Sequence, residues 1–272
     1  MTLNEFHHTT TSLPKTARFP ALFIGHGSPM NGVEDNEFSR AWIAKSAELP
    51  TPQAILCISA HWFTPGTFVH TAKQPRTIHD FYGFPEELYA LRYPCPGAPE
   101  LAAETASILT TTTVTPDTEW GLDHGAWIVL RRLFPFAKIP VYQLSIDYTK
   151  PGQFHYDLGK ELAVLRDHGV LIMGSGNIVH NLGRIEYDPA AQPFSWATEF
   201  DATAQKLLVD KHHQALIHYE KLGSSAHLSI PTPEHYYPLL YTLGAQHSSE
   251  QVHFFAEGIT HGSISMRSFS VS

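Results

Sequence analysis

The stretch Pro20-Ala21-Leu22-Phe23-Ile24-Gly25-His26-Gly27-Ser28-Pro29 decides the fold of this chain. Its four consecutive apolar residues, Ala21 to Ile24, stand between Pro20 and Gly25 and predict a short strand that is buried on both faces. Two glycines then relax the backbone on either side of His26. A buried strand that ends in this way places an imidazole at the carboxyl edge of a sheet, where open α/β folds bind their ligands.

Two further stretches repeat this construction. The run that begins at Ala54 ends at His61, and the run that begins at Val170 leads to His180. His26 and His61 lie 35 residues apart, about the length of one strand–helix–strand unit, so we expect them on neighbouring strand ends. Imidazole is the commonest metal ligand, and the chain has 18 histidines, as many as its lysines and arginines combined. The repeated pattern predicts a metal site.

The remaining pattern predicts a single α/β domain. A chain of 272 residues that is 43% hydrophobic can build one large core. Strands alternate with helical segments, which predicts a central, mostly parallel or mixed β-sheet flanked by helices. We expect residues 1–19, which are mostly polar, to form a flexible leader, and residues 20–272 to form this domain.

The spacing of apolar residues predicts the elements between and after these strands. The expected helices span Asn36 to Leu49, Pro99 to Thr110, Ala126 to Phe134, Gln153 to His168 and Ser195 to Leu222, with a short helix after Pro238. The expected further strands span Thr67 to Ala72, Ile139 to Ile146, Val252 to Ala256 and Ile264 to Val271.

Composition excludes several classes of partner and compartment. The net charge of −8 argues against nucleic acid, which requires a basic face. No window reaches the roughly 18 uninterrupted apolar residues of a membrane span, and the N-terminus has no apolar secretory segment. Cys57 and Cys95 stand in unlike contexts that do not predict a disulfide, so we expect a cytoplasmic protein.

The identity of the third metal ligand stays open on spacing alone. A mononuclear iron site with two histidines and one carboxylate favours Glu234, whereas zinc accepts three histidines and water, or four histidines, which favours His235. His180 is either a further ligand or a general acid/base beside the metal. His124 precedes a predicted helix, where it serves equally well as a proton-transfer residue or as a helix cap.

A long aromatic loop supplies candidates for substrate contact. His79, which Asp80 could orient, lies in a stretch whose Phe81, Tyr82 and Phe84 form either the apolar wall of a pocket or, as the pattern slightly favours, a packed aromatic loop. Ser28, close to His26, is a further candidate for substrate binding. As a hydrolase nucleophile Ser28 is disfavoured, because Pro29 lacks the backbone N–H that an oxyanion hole needs.

Six motifs, taken in order, resemble the DOPA 4,5-extradiol dioxygenase branch of the class III extradiol ring-cleavage dioxygenases. They are Gly25-His26-Gly27-Ser28-Pro29, Ser59-Ala60-His61-Trp62, Ile78-His79-Asp80-Phe81, Trp120-Gly121-Leu122-Asp123-His124-Gly125, Gly176-Asn177-Ile178-Val179-His180-Asn181 and Pro231-Thr232-Pro233-Glu234-His235-Tyr236. The resemblance runs from about Pro20 to the C-terminus. It implies one α/β domain with a metal in a cleft at the strand ends.

The resemblance also implies roles for individual histidines. His26, His61 and His235 are the implied metal ligands, and His180 is placed at the metal as a fourth contact or as the adjacent acid/base. His124 is implied as a second catalytic histidine near the substrate. Non-haem Fe(II) is the implied cofactor for activity, and an all-histidine site would also hold Zn(II) in the isolated protein.

The activity that follows from the resemblance is oxidative cleavage of a catechol such as L-DOPA next to its hydroxyl pair. Both atoms of O2 enter a semialdehyde product. The expected partners are therefore a small catechol and O2, and the expected assembly is a monomer or a small homo-oligomer. The rival hypotheses are a zinc-dependent hydrolase on the same scaffold, which would use metal-bound hydroxide, and a metal-binding protein without catalytic activity.

Overall fold

The computed structural model describes residues 13–272. In chain order the strands are β1 Ala21–Gly25, β2 Ala54–Ser59, β3 Phe63–Thr64, β4 Thr67–His70, β5 Val114–Asp117, β6 Val141–Gln143, β7 Ile146–Asp147, β8 Val170–Gly176, β9 Val252–Ala256, β10 Ile259–Thr260, β11 Ile264–Ser265 and β12 Ser268–Val271. The α-helices are α1 Glu37–Glu48, α2 Glu86–Ala90, α3 Pro99–Ile108, α4 His124–Leu133, α5 Gly152–Leu162, α6 Ser195–Val209, α7 His213–Ile217, α8 Ser224–Ser229 and α9 Tyr237–Gly244. Short 3-10 helices span Pro29–Gly32, Ala163–His168, Leu182–Arg184 and Tyr219–Lys221.

The central sheet has the strand order β6-β2-β8-β1-β12-β9. The four strands from β6 to β1 are parallel. β12 pairs antiparallel with β1, and β9 pairs antiparallel with β12. The mixed α/β sheet with helices on both faces was predicted from the sequence, and the prediction is confirmed. The carboxyl ends of the parallel strands meet at one edge, because parallel strands all point the same way.

Both faces of the parallel strands are covered, which explains their continuous apolar runs. Alternate side chains of β1 point in opposite directions, so Leu22 and Ile24 join one core while Ala21 and Phe23 join the other. The first core includes apolar residues of α1 and α4, and the second includes those of α5, α6 and α9. The sheet is thus held rigidly between two helical layers, and its carboxyl edge is a fixed platform.

One prediction about strand order was wrong. β1 and β2 are not neighbours, because β8 lies between them and pairs with both. Sequence spacing gives the length of a crossover but not the place where a later strand inserts. His26 and His61 therefore approach each other across the end of β8.

The long predicted helix from Ser195 to Leu222 was also wrong in its second half. α6 ends at Val209, and Lys211 adopts a φ of 54° that no right-handed helix accepts. The shorter helix α7 follows. His213 at its start contacts the hydroxyl of Tyr156 at 3.0 Å.

Two predicted strands are each split into two short strands. The segment from Ile139 to Ile146 forms β6 and β7, and β7 leaves the central sheet to pair with β3. The segment from Ile264 to Val271 forms β11 and β12 in different sheets. The predicted helix from Gln153 becomes a 3-10 helix after Leu162 and ends, as expected, at Gly169, which has a φ of 74°.

The N-terminal segment is divided between described and undescribed residues. Residues 1–12 of the predicted leader lie outside the described residues. The residues that follow contact the domain: Thr16 N–H donates to Asp167 O, Phe19 N–H donates to Arg166 O, and Arg18 forms an ion pair with Asp167 at 2.7 Å. Backbone contacts hold Thr16 to Phe19 against the domain.

Candidate metal centre

His26 follows β1 directly, and its ring is held from behind. Its Nδ1 lies 3.0 Å from Ser175 Oγ, whose hydroxyl donates to the carbonyl of Gly125 at 2.6 Å. Because the single hydroxyl proton goes to that carbonyl, Oγ accepts from His26 Nδ1–H. The neutral ring therefore carries its lone pair on Nε2, the atom that faces the other histidines. Asn31 fixes the backbone by donating to His26 O at 2.9 Å.

His61 follows β2 and faces His26. The Nε2 atoms of the two rings are 3.2 Å apart. On the opposite side, His61 Nδ1 lies 3.5 Å from Asp80 Oδ2. A carboxylate on Nδ1 favours the tautomer with its proton there and a lone pair on Nε2. Two imidazole lone pairs at this distance repel each other. A cation bound by both nitrogens would relieve that repulsion.

His235 reaches the same place from a loop before α9. Asn177 N–H donates to His235 O at 2.8 Å, which ties this loop to the end of β8. The approach depends on Gly176, because a Cβ at that position would lie 2.1 Å from His235 O. The ring centroid of His235 is 5.3 Å from that of His26 and 5.0 Å from that of His61.

Glu234 stands behind His235. Glu234 Oε1 lies 3.3 Å from His235 Nδ1 and accepts a hydrogen bond from Thr232 Oγ1 at 2.8 Å. A carboxylate in this position orients the ring and increases the basicity of its other nitrogen. Of the two candidates left open by the sequence, the His235 ring lies beside those of His26 and His61, and Glu234 contacts the Nδ1 atom of that ring.

The other two histidines flank this trio. The ring of His180 stacks on that of His235, with centroids 3.5 Å apart and planes 11° apart. The backbone N–H of His180 donates to Ser229 O at 2.9 Å. His124 begins α4, where Asp123 caps the helix, and its ring lies 3.9 Å from that of His61. The five imidazoles surround one small volume.

Asp80 binds two of these histidines with one carboxylate. Its Oδ2 lies 3.0 Å from His124 Nδ1 as well as 3.5 Å from His61 Nδ1, and its Oδ1 accepts from His124 N–H at 2.8 Å. Burial opposes ionisation of Asp80, but the hydrogen bonds and charges of His124 and His61 lower its pKa to about 2. Asp80 is therefore an anion at neutral pH and orients both rings.

The surroundings keep the clustered imidazoles neutral. Burial, followed by the charges of neighbouring histidines, holds the pKa of His26, His61 and His235 well below the ordinary histidine value. Burial and the charge of His124 lower the pKa of His180 to about 4. Neutral imidazole is the form that binds a metal.

Ligand spacing also fits a metal ion. The ligand atoms of His26, His61 and His124 lie within 4.8 Å of one another, as do those of His180, Glu234 and His235. The nitrogen donors suit zinc or ferrous iron. The two groups adjoin each other, because the His235 ring lies 5.3 Å from that of His26 and 5.0 Å from that of His61, so the histidine cluster as a whole can hold a metal ion.

The histidines open into a cavity of about 360 Å³, a volume typical of small-molecule sites. Its lining consists of the following residues: His26, Gly27, Ser28, Pro29, His61, Asp80, Phe81, Phe84, His124, His180, Leu182, Ile185, His235, His261 and Ile264. Of the predicted substrate contacts, Ser28 and Phe81 belong to this wall. Tyr82 is 92% exposed and does not. His79 turns away, with Nε2 3.0 Å from Leu91 O and its ring against Trp127.

Sequence reasoning missed four residues that shape the site. Asp80 was assigned to His79 rather than to His61 and His124. Ser175 was not singled out, and Asp123, which accepts from Ser59 Oγ at 2.5 Å, was considered only as a motif residue. His261 was not considered. For Ser175 the sequence did offer a signal, because this residue lies next to the end of the strand that leads to His180.

The sheet edge and the converging imidazoles define a metal-binding protein of the α/β class. The chain belongs to the family described as the catalytic LigB subunit of aromatic ring-opening dioxygenase, whose model matches residues 20–268. It is therefore an aromatic ring-opening dioxygenase, an oxidoreductase with a small-molecule substrate, as the sequence predicted. Among residues 13–272, no helix is both long enough and apolar enough to cross a membrane.

Individual relatives agree with this assignment. The chain is 47% identical to a 4,5-DOPA dioxygenase extradiol of Escherichia coli (strain K12), over 94% of this chain and 96% of that protein. It is 39% identical to a protein of the same name from Beta vulgaris, over 82% and 85% of the two chains. The crystal structure of an uncharacterized protein from Escherichia coli K12 matches with a TM-score of 0.82 and 43% identity, covering 94% of this chain and 100% of that one.

We expect Glu234→Gln to weaken metal binding by about 10- to 100-fold without abolishing it, because the amide orients His235 less firmly than the carboxylate. The measurement is the dissociation constant for Zn2+, obtained by competition with a chelator. Glu220→Gln is the matched control, since Glu220 lies 3.5 Å from His218 Nδ1 at the surface. Complete loss of the metal in Glu234→Gln would instead identify Glu234 as a ligand.

Proposed function

We propose that the chain is an extradiol dioxygenase that cleaves a catechol such as L-DOPA at a mononuclear metal site, with both oxygen atoms of O2 entering the product. The observation that carries this proposal is the convergence of His26, His61 and His235 beside His124 and His180 in one cavity. The names of the relatives from Escherichia coli and Beta vulgaris support DOPA as the substrate.

His26, His61 and His235 are the proposed ligands, with Fe(II) for activity and Zn(II) able to occupy the same site. When bound, ferrous iron supplies a Lewis acid for the catechol oxygens and a route for electron transfer to dioxygen. These three imidazoles would hold the metal, while His124 and His180 would remain available for proton transfer. The proposal therefore places His180 beside the metal during turnover, and not on it.

The residues around these ligands would bind the catechol and move its protons. Phe81 and Phe84 offer apolar surface for the aromatic ring at the cavity wall. His124, oriented by Asp80, and His180, held on the ring of His235, are the proposed acceptors of the catechol protons. The same two imidazoles would return a proton later in the reaction. Asp80 would steady His124 in either protonation state because its carboxylate stays ionised.

Oxygen consumption tests this function directly. Apo-protein is reloaded anaerobically with ferrous iron and then given L-DOPA and air, with zinc-loaded protein as the control. We expect oxygen uptake together with a new yellow absorbance of the semialdehyde type in the iron-loaded sample alone. Bound iron without uptake on L-DOPA or simpler catechols would overturn the proposal and favour a zinc-dependent hydrolase.

We also propose that the enzyme works in the cytoplasm as a monomer or small homo-oligomer. Cys57 and Cys95 are buried free thiols, which fits a reducing compartment.

A further inference from the structure

His261 stands where the metal-side cavity meets a second, wider groove. The groove has a volume of about 890 Å³ and shares Ser28, Phe84 and His261 with the cavity. A catechol whose two oxygens face the histidine trio has its ring substituent directed away from the metal. The side chain of such a substrate would pass the shared residues on its way into the groove.

The backbone of His261 is fixed in an unusual conformation. Its φ of 53° lies in the left-handed region that non-glycine residues rarely adopt. His261 N–H donates to Pro189 O at 3.1 Å, and Glu186 N–H donates to His261 O at 2.9 Å. These bonds hold His261 against the loop that contains Glu186 and Pro189. Non-glycine residues held in this region cluster at functional sites.

The ring of His261 is fixed as well. Its Nδ1 lies 2.9 Å from Glu186 O. A carbonyl oxygen can only accept, so Nδ1 carries the proton and Nε2 of the neutral ring carries the lone pair. Among the described residues, Nε2 has no hydrogen-bond partner. His261 lines both the cavity and the groove, so its imidazole offers this region a hydrogen-bond acceptor with no partner among the described residues.

The charges of the groove favour the same kind of ligand group. Glu34 and Glu37 line it, and Arg40 is the cation among its lining residues. Arg40 is paired with Asp35 at 3.2 Å. A donor with positive charge is thus favoured over an anion near His261.

We propose that His261 is a specificity-determining residue whose Nε2 accepts a hydrogen bond from an ammonium group on the side chain of the bound catechol. This inference rests on the proposed function and identifies the substrates as catechols that carry an amine. A site built around a free acceptor rejects an analogue that lacks the donor, because the acceptor is then left unpaired.

The test compares two substrates that differ only in the α-amino group: L-DOPA and 3,4-dihydroxyphenylpropanoate. The variant is His261→Asn, since asparagine tolerates a positive φ but is too short to replace the imidazole. We expect the wild type to favour L-DOPA by about 10-fold or more in kcat/KM, as for a hydrogen bond to a charged group. We expect His261→Asn to lose most of this preference, because its kcat/KM should fall with L-DOPA and stay unchanged with 3,4-dihydroxyphenylpropanoate.

A loop variant separates recognition from a structural role. Asp188→Ala removes the hydrogen bond from Ala190 N–H to Asp188 Oδ1 in the same loop, at a residue that lines neither cavity nor groove. We expect its substrate ratio to equal that of the wild type. An unchanged ratio in His261→Asn, an equal loss on both substrates, or a wild type without preference would overturn the proposal. Cleavage of either catechol by the wild type establishes the proposed function independently.

Discussion

His26→Ala should abolish ring cleavage and metal binding together. We expect kcat/KM with L-DOPA to fall by about 1,000-fold or more, because the metal contributes several kcal/mol of charge stabilisation. The same substitution leaves Ser175 Oγ without its partner and removes one of the two nitrogens that lie 3.2 Å apart. Metal content measured by elemental analysis should fall from about one ion per chain to a small fraction of one.

His253→Ala is the matched control for this loss. His253 lies exposed on β9, on the antiparallel side of the sheet, so its removal should leave metal content and activity unchanged. A His26→Ala protein that folds, retains its full metal content and still consumes oxygen with L-DOPA would refute the assignment of His26 as a ligand.

Gly176→Ala should destabilise the whole protein as well as the site. The added Cβ would lie 2.1 Å from His235 O, a backbone atom that cannot move without displacing the loop before α9. Such overpacking costs about 3 kcal/mol or more, since this backbone contact cannot be relieved by a rotamer change. We expect a lower midpoint of denaturant unfolding and, in the protein that remains folded, weaker metal binding.

Gly183→Ala provides the comparison for this substitution. Its added Cβ would meet only the side-chain oxygen of Asn181, at 3.3 Å, so we expect a change within about 0.5 kcal/mol in the free energy of unfolding. If Gly176→Ala were equally mild and retained full metal affinity, the close approach of β8 and the loop with His235 would not be what positions that ligand.

Much of the fold could be predicted from the sequence because the three long parallel strands begin with uninterrupted apolar runs, Ala21–Ile24, Ala54–Ile58 and 170–173. Each run ending in a histidine formed a strand of the central sheet, and Asn36 caps α1 as the pattern indicated. The insertion of β8 between β1 and β2 could not be predicted, since chain order does not determine sheet order. The turn after Val209 could not be predicted because it depends on the positive φ of Lys211, and a lysine, unlike a glycine, does not indicate such a conformation in the sequence.

The site was predictable in its histidines and less so in what holds them. A histidine at a strand end can be recognised as a possible metal ligand from its residue type alone. Ser175 and Asp80 act through hydrogen bonds and ion pairs that form only in the folded protein. The side chain of Asp80 faces His61 and His124, while the adjacent His79 turns toward Leu91 and Trp127. Adjacent residues of an irregular loop have no fixed periodicity, so no pattern could separate them.

The antiparallel strand β12 has a practical consequence for handling the protein. Val271 pairs with Ala21 and Phe269 with Phe23, so β12 runs away from the edge at which His26 lies. A surface-coupling group attached after Ser272 would therefore emerge on the far side of the sheet from the cavity. Protein immobilised in this way would present its substrate entrance to the solution, and a sensor surface built from it would remain accessible to catechols.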